Sequence, residues 1–186
     1  TVKSTPRCAC ATMHLEQAHP STGTARTVNM EAISRGAANA DTELPLVSVV
    51  VLTFNRAQLL AETIAAILGQ TYTAIELIVV DNMSTDGTAD AVATLGDPRV
   101  SYWRNPNHGV LAINRNLGIR KARGRYIAFC DDDDTWLPHK LEKQVAALEA
   151  NADAALCYTN ILAVRTPADP GTPVFRKPVT GHHFGK

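Results

Sequence analysis

The chain has 186 residues, 45% of them hydrophobic and 19% charged, which suits one packed globular domain and leaves little room for a second. Eighteen Lys and Arg balance eighteen Asp and Glu, so the basic surplus expected of a nucleic-acid binder is missing. The basic residues are spread along the chain, apart from a local group at Arg115, Arg120, Lys121, Arg123 and Arg125.

Residues 1–44 are rich in Thr, Ser, Ala and Gly with no sustained hydrophobic period, and read as a disordered or loosely packed N-terminal tail. Cys8 and Cys10 lie there with His14 and His19, at a spacing that matches no common zinc pattern. No run is long and apolar enough to span a bilayer, and no secretory apolar segment opens the chain. Cys130 and Cys157 fall inside apolar runs and read as buried, reduced thiols. The expected location is therefore cytoplasmic, with at most a peripheral association at the inner face of a membrane.

From Pro45 the character changes, and residues 45–186 form the expected domain. Leu46 to Leu52 is an unbroken, largely β-branched run, the mark of a strand buried on both faces. Leu60, Ile64, Ile67 and Leu68 follow at helical spacing. Ile75 to Val80 predicts a second buried strand, and Thr85 to Leu95 a short helix stopped by Gly96 and Pro98. Val100 to Trp103 predicts a third strand; Val110, Ile113 and Leu117 mark a third helix. Arg125 to Cys130 is the fourth strand, and Leu141, Val145 and Leu148 mark a fourth helix with Pro138 near its first turn. Ala154 to Val164 reads as a further strand and Val174–Phe175 as the start of another; from Thr166 on the chain is irregular, as if the domain were cut off. Strand and helix in alternation, with apolar strands, predict an α/β fold: a mostly parallel sheet with helices on both faces.

In open parallel sheets ligands bind at the carboxyl ends of the strands. Thr53, Phe54, Asn55 and Arg56 follow the first strand; Asp81, Asn82, Ser84, Thr85 and Asp86 the second; Asn105, Asn107, His108 and Gly109 the third. The fourth delivers four consecutive aspartates, Asp131 to Asp134. Adjacent carboxylates repel one another, so a cluster at a strand end calls for a positive partner. A divalent cation with oxygen preference is the natural candidate, and it points to a phosphate-bearing ligand. Neither the glycine fingerprint of dinucleotide-binding folds nor a P-loop is present, so phosphate charge must be met by metal and by a basic side chain such as Arg115.

Four segments, in order, resemble the family 2 glycosyltransferases, which have the GT-A fold. They are Val47 to Arg56; Ile78 to Asn82 with Ser84, Asp86 and Gly87; Asn107 to Gly109 with Arg115 to Ile119 and Ala122 to Ile127; and Asp131 to Pro138 with Lys140 to Glu142. The resemblance covers about residues 46–150. It implies a nucleotide-diphosphate sugar donor (UDP-, GDP- or dTDP-linked), Mn²⁺ or Mg²⁺ as cofactor, and transfer with inversion to a hydroxyl of a glycan, polysaccharide or lipid-linked acceptor. By position it assigns Thr53, Asn55, Arg56, Asn82, Ser84 and Gly109 to the nucleotide-sugar site. Asp81 would accept a hydrogen bond from base or ribose, and Arg115 would reach base or diphosphate. Asp131 and Asp133 are the outer members of its D-x-D pattern and the implied metal ligands, with Asp131 or Asp132 holding ribose or a metal-bound water. The family's catalytic base is expected beyond Lys186, because Asp169 is the only acidic residue after Val164.

Other readings compete. The aspartates would also suit a solvated loop before a helix, where negative charge favours the helix dipole. Asn55 would suit an N-cap and Asp81 a turn. A nucleotide-sugar-binding domain without turnover is the alternative function, and a nucleotidyltransferase ranks below it because no glycine-rich loop follows the first strand.

Overall fold

The computed structural model describes residues 11–14, 43–159, 162–163 and 172–173. Its strands are β1 (Ala11–His14), β2 (Val47–Thr53), β3 (Ile75–Asp81), β4 (Val100–Arg104), β5 (Tyr126–Asp131), β6 (Leu156–Tyr158), β7 (Leu162–Ala163) and β8 (Thr172–Pro173). The helices are α1 (Ala57–Leu68), α2 (Thr88–Thr94), α3 (Leu111–Lys121) and α4 (Lys140–Glu149). Strands β1 to β6 form one sheet in the order β4-β3-β2-β5-β1-β6, and β7 pairs with β8.

The four central strands run parallel. Because both faces of β2 and β3 are covered, alternation of polar and apolar residues disappears from their sequences. Val47, Val49 and Val51 face α1 and α4 and meet Leu60, Ile64, Ile67, Leu141, Val145 and Leu148. Val50, Ile78, Val80 and Ile127 face the other way, against Leu117 and Ile119 of α3. The chain winds outward from β2 through β3 to β4, then α3 crosses the opposite face and β5 lands on the far side of β2. The order of strands therefore reverses between β2 and β5, which makes that boundary the expected ligand crevice.

Helix α3 departs from the sequence expectation. Val110 and Ile113 point outward, 51% and 39% exposed, and the packed face is built from Asn114 and Gly118 with Leu117 beside them. A Cβ on Gly118 would overlap Cγ1 of Val50, so the missing side chain lets α3 lie close on the sheet. The predicted strand over 154–164 is instead two, β6 and β7; Val174 and Phe175 lie outside the described residues. In the stretch read as a tail, Ala11–His14 pairs antiparallel with both β5 and β6, Thr12 standing between Ala128 and Cys157. The N–H and C=O row that β5 turns away from β2 is satisfied in this way. Of the cysteines among the described residues, Cys130 is buried and Cys157 only half-buried. Among the described residues no helix is long and apolar enough to cross a membrane.

A buried polar knot ties the α3–β5 connection to the sheet. Glu76 on β3 accepts from Ser48 Oγ at 2.6 Å and from the Arg123 backbone N–H and Nε at 2.7 and 2.9 Å. Ser48 Oγ in turn accepts the Gly124 N–H at 2.8 Å. Burial alone would raise the Glu76 carboxyl, but the bonds from Ser48 and Arg123 outweigh it and hold it below its ordinary value. A carboxylate lowered in the folded state contributes stability that is complete above its unfolded pKa, near 4.5, and is lost as pH falls through the folded value. Glu76→Gln should therefore cost about 1–3 kcal/mol in urea unfolding at pH 7. The gap between wild type and variant should narrow as the pH is lowered below 4.5.

Candidate active site

The register of the parallel strands brings their polar ends level. Thr53 stands opposite Asp81, Asp81 opposite Arg104, and Leu52 opposite Asp131. A cleft of about 500 Å³ opens above this row at the β2/β5 boundary. Thr53, Arg56, Asn82, Gly109, Arg115, Asp131, Asp132 and Asp133 line it, so the fold unites eight of the residues expected in the site.

The four aspartates do four different things. A turn closes them, with the Asp134 N–H donating to the Asp131 carbonyl at 3.2 Å. Asp132 is buried, and both its oxygens are taken: Thr53 Oγ1 donates to one at 2.8 Å and Arg56 Nη1 to the other at 2.9 Å. It thus pins the acidic turn to the end of β2. The Asp134 side chain is buried, and its carbonyl accepts from Thr63 of α1 at 2.9 Å. Asp133 faces the cleft and has Arg56 Nη1 at 3.4 Å. Asp131 is half-buried, and among the described residues its carboxylate accepts no hydrogen bond. Burial pushes its carboxyl above the ordinary value and the neighbouring charge of Asp133 adds to the push, while Arg115 and Arg56 offset this in part.

Across the cleft, the Arg115 guanidinium stacks over the Phe129 ring at 5.6 Å, which holds a cation near the acidic turn. The far wall is a chain of amides. Asn82 Oδ1 accepts the Asn107 N–H at 2.8 Å, and Asn107 Oδ1 accepts the Gly109 N–H at 2.9 Å. Asn105 Nδ2 donates to Asn114 Oδ1 at 2.8 Å. Gly109, at φ +81°, and His108, at φ +50°, make the tight bend between β4 and α3.

Three expected site residues stand behind the wall. Asp81 is fully buried and takes donors on both oxygens: the Ser84 N–H at 3.0 Å, the Ser84 hydroxyl and the Tyr102 hydroxyl. Arg104 Nε lies 3.7 Å from it. A carboxylate so saturated has little capacity left for base or ribose. Ser84 Oγ accepts the Asn55 N–H at 2.8 Å, and Asn55 Oδ1 accepts the Thr85 N–H at 2.8 Å. Asn55 is thus not the N-cap of α1, a position held by Arg56; in a left-handed conformation, φ +51°, it clasps the β2 and β3 loops together. Asp86 caps α1 from across that clasp, accepting the Ala57 N–H at 3.0 Å.

The sequence profile of Glycosyl transferase family 2 matches residues 48–166, the span that holds every one of these groups. The chain belongs to this family. One relative is the UDP-Glc:alpha-D-GlcNAc-diphosphoundecaprenol beta-1,3-glucosyltransferase WfaP of Escherichia coli, 36% identical over 106 residues, 57% of this chain and 42% of that protein. Among solved structures, S. aureus TarS in complex with UDP-GlcNAc aligns with a TM-score of 0.54 at 26% identity, over 57% of this chain and 32% of that one. The mannosyltransferase PcManGT of Pyrobaculum calidifontis, in complex with GDP-Man and Mn²⁺, aligns with a TM-score of 0.52 at 28% identity, over 64% of this chain and 37% of that one. The fold is GT-A, over the part of those enzymes that these strands span. The chain spans about half the length, or less, of the curated relatives it matches, from 15% to 51%.

In this family 2 chain the donor set at the acidic turn fits a divalent ion. Among the described residues no three His, Cys, Asp or Glu side chains converge into a closed cage. Mg²⁺ and similar ions, however, commonly take only one or two carboxylates and complete their shell with phosphate and water. Asp131 and Asp133, close enough to repel and open to the cleft, offer carboxylates of that number. Phe54, named above only for its place after the first strand and given no role there, is a cleft residue. It is 52% exposed and lines the cleft beside Thr53; an aromatic directly after a buried strand was the available signal. Asn114 and Leu111 also line the cleft, unmarked by any motif.

Opposite roles within one acidic turn should separate on mutation. Asp131→Asn removes a half-buried charge that its arginine neighbours offset only in part, and should raise the stability of the ligand-free protein by about 0.5–1 kcal/mol. Asp132→Asn strips charge from a buried carboxylate with two donors and should lower it by about 1–3 kcal/mol. Thermal melts of the two variants against wild type make the comparison.

Proposed function

We propose that the cleft binds a nucleoside-diphosphate sugar, and that this chain is the donor-binding part of an inverting glycosyltransferase acting on a hydroxyl of a glycan, polysaccharide or lipid-linked acceptor. The observation that carries the reading is the meeting of Asp131 and Asp133 with Arg56 and Arg115 at the point where the strand order reverses, in a family 2 chain. The ligands named for TarS and PcManGT, UDP-GlcNAc and GDP-Man, support a nucleotide sugar here. The diphosphoundecaprenol named for WfaP supports a lipid-linked acceptor, and with it a place at the cytoplasmic surface of a membrane.

The geometry supports a part for each group. Phe54 offers an apolar face to the flat base, and Thr53 and the Asn82–Asn107–Gly109 wall offer polar groups to ribose and phosphate. Arg115, held by Phe129, meets the diphosphate as a fixed cation. Asp131 and Asp133 hold Mn²⁺ or Mg²⁺. When bound, the ion supplies Lewis-acid neutralisation of the charge that builds on the departing nucleoside diphosphate. Asp132 keeps the two ligands in place, since its own oxygens are bound to Thr53 and Arg56. A single attack by the acceptor hydroxyl on the anomeric carbon inverts its configuration, and a carboxylate outside the acidic turn takes the hydroxyl proton.

Titration of UDP, GDP and dTDP, each with and without Mn²⁺, tests the donor site through tryptophan fluorescence, because Trp136 is buried just behind the aspartates. Saturable binding of one nucleotide, strengthened by Mn²⁺ and weakened at least about tenfold in Asp133→Asn, is the expected result. No binding of any of the three to the folded protein would overturn the reading.

A further inference from the structure

Arg56 holds the acidic turn in an unusual way. Its Nη1 alone spans two carboxylates, at 2.9 Å from Asp132 and 3.4 Å from Asp133. Among the described residues Nε and Nη2 have no partner, and the side chain is 49% exposed on the cleft wall. The two carboxylates depend on it unequally. Asp132 is buried and keeps a second donor in Thr53, whereas Asp133 has Arg56 as its one basic neighbour within 4 Å among the described residues.

We infer that Arg56 is an internal counter-cation that competes with the divalent ion for Asp133 and is released by the nucleotide's diphosphate. This rests on the reading of Asp131 and Asp133 as the metal pair. In the ligand-free protein the guanidinium neutralises the carboxylate that a metal ion needs, so metal alone binds weakly. A diphosphate arriving in the cleft offers several anionic oxygens to the idle Nε and Nη2, and guanidinium binds such groups with two parallel bonds. The side chain turns toward the ligand, Thr53 continues to hold Asp132, and Asp133 is freed to act with Asp131. Metal and nucleotide then bind with positive coupling, and linkage makes the coupling the same in either order of addition. Arg56 is thus a positioning residue that makes metal loading conditional on the donor.

The test is Mn²⁺ binding, read from the electron paramagnetic resonance signal of free Mn²⁺, for wild type, Arg56→Met and Arg56→Gln. The Gln variant loses the charge but keeps an amide donor for Asp132, which guards against loss of the turn itself. Without nucleotide, both variants should bind Mn²⁺ about tenfold more tightly than wild type or better, as loss of a charge-assisted competitor implies. With UDP, GDP or dTDP at saturation, the enhancement seen in wild type should shrink toward one in both variants. Equal Mn²⁺ affinity of wild type and both variants without nucleotide, including no detectable binding by any, would overturn the inference. If wild type nevertheless binds Mn²⁺ when nucleotide is present, the metal pair survives and only the role of Arg56 falls. If no nucleotide brings Mn²⁺ to the wild type, the metal pair falls with it.

Discussion

The buried carboxylate of Asp132 is the interaction on which the site depends. It is charged, nearly enclosed, and satisfied by one hydroxyl and one guanidinium from the end of β2. An unpaired charge in that position would be strongly destabilising, so Thr53 is held where it is as firmly as Asp132 is, and the half-exposed Arg56 completes the pairing from the cleft side. β2 and β5 are also neighbours in register, Leu52 opposite Asp131. The two strands between which the order reverses are therefore clamped at their carboxyl ends as well as along their backbones. Asp131 and Asp133 flank the clamped residue, so the turn has no option but to present them to the cleft.

That arrangement separates stability from function within four residues. Asp132 and Asp134 are turned inward, while Asp131 is left half-buried with its carboxyl pushed up by burial and by Asp133. A stability-optimised sequence would not retain that repulsion, and the strain of unlike demands is typical of sites that await a ligand. The polar post at Asp81 works in the same sense from the β3 side. Its bonds to Ser84 and Tyr102 hold the loop from which Asn82 reaches the cleft.

Much of this was legible in the sequence, for identifiable reasons. β2, β3 and β5 are buried on both faces, and the β-branched runs of β2 and β3 could hardly fold otherwise. The polar residues that follow them converge because parallel strands share a carboxyl edge, so the cleft could be placed from strand positions alone. Helix α3 is legible as a helix from Val110, Ile113 and Leu117, but its packed face is not, because the close contact is made by Gly118 over Val50 and a missing side chain gives no hydrophobic period. β1 was invisible for a related reason: Ala-Thr-Met-His has no strand signature of its own, and its place depends on partners more than a hundred residues away. Asn55 and Asp81 were assigned to a ligand. Each also bonds the neighbouring loop, through hydrogen-bond partners which no linear motif records.

The most direct measurement is anomalous scattering at the manganese edge from crystals grown with Mn²⁺ and UDP. The account predicts one manganese peak in the cleft, bonded to Asp131 and Asp133 and to the diphosphate, with Asp132 still held by Thr53. Nucleotide in the cleft with manganese bonded to Asp132, or with no manganese at the acidic turn, would contradict the division of roles on which the whole account is built.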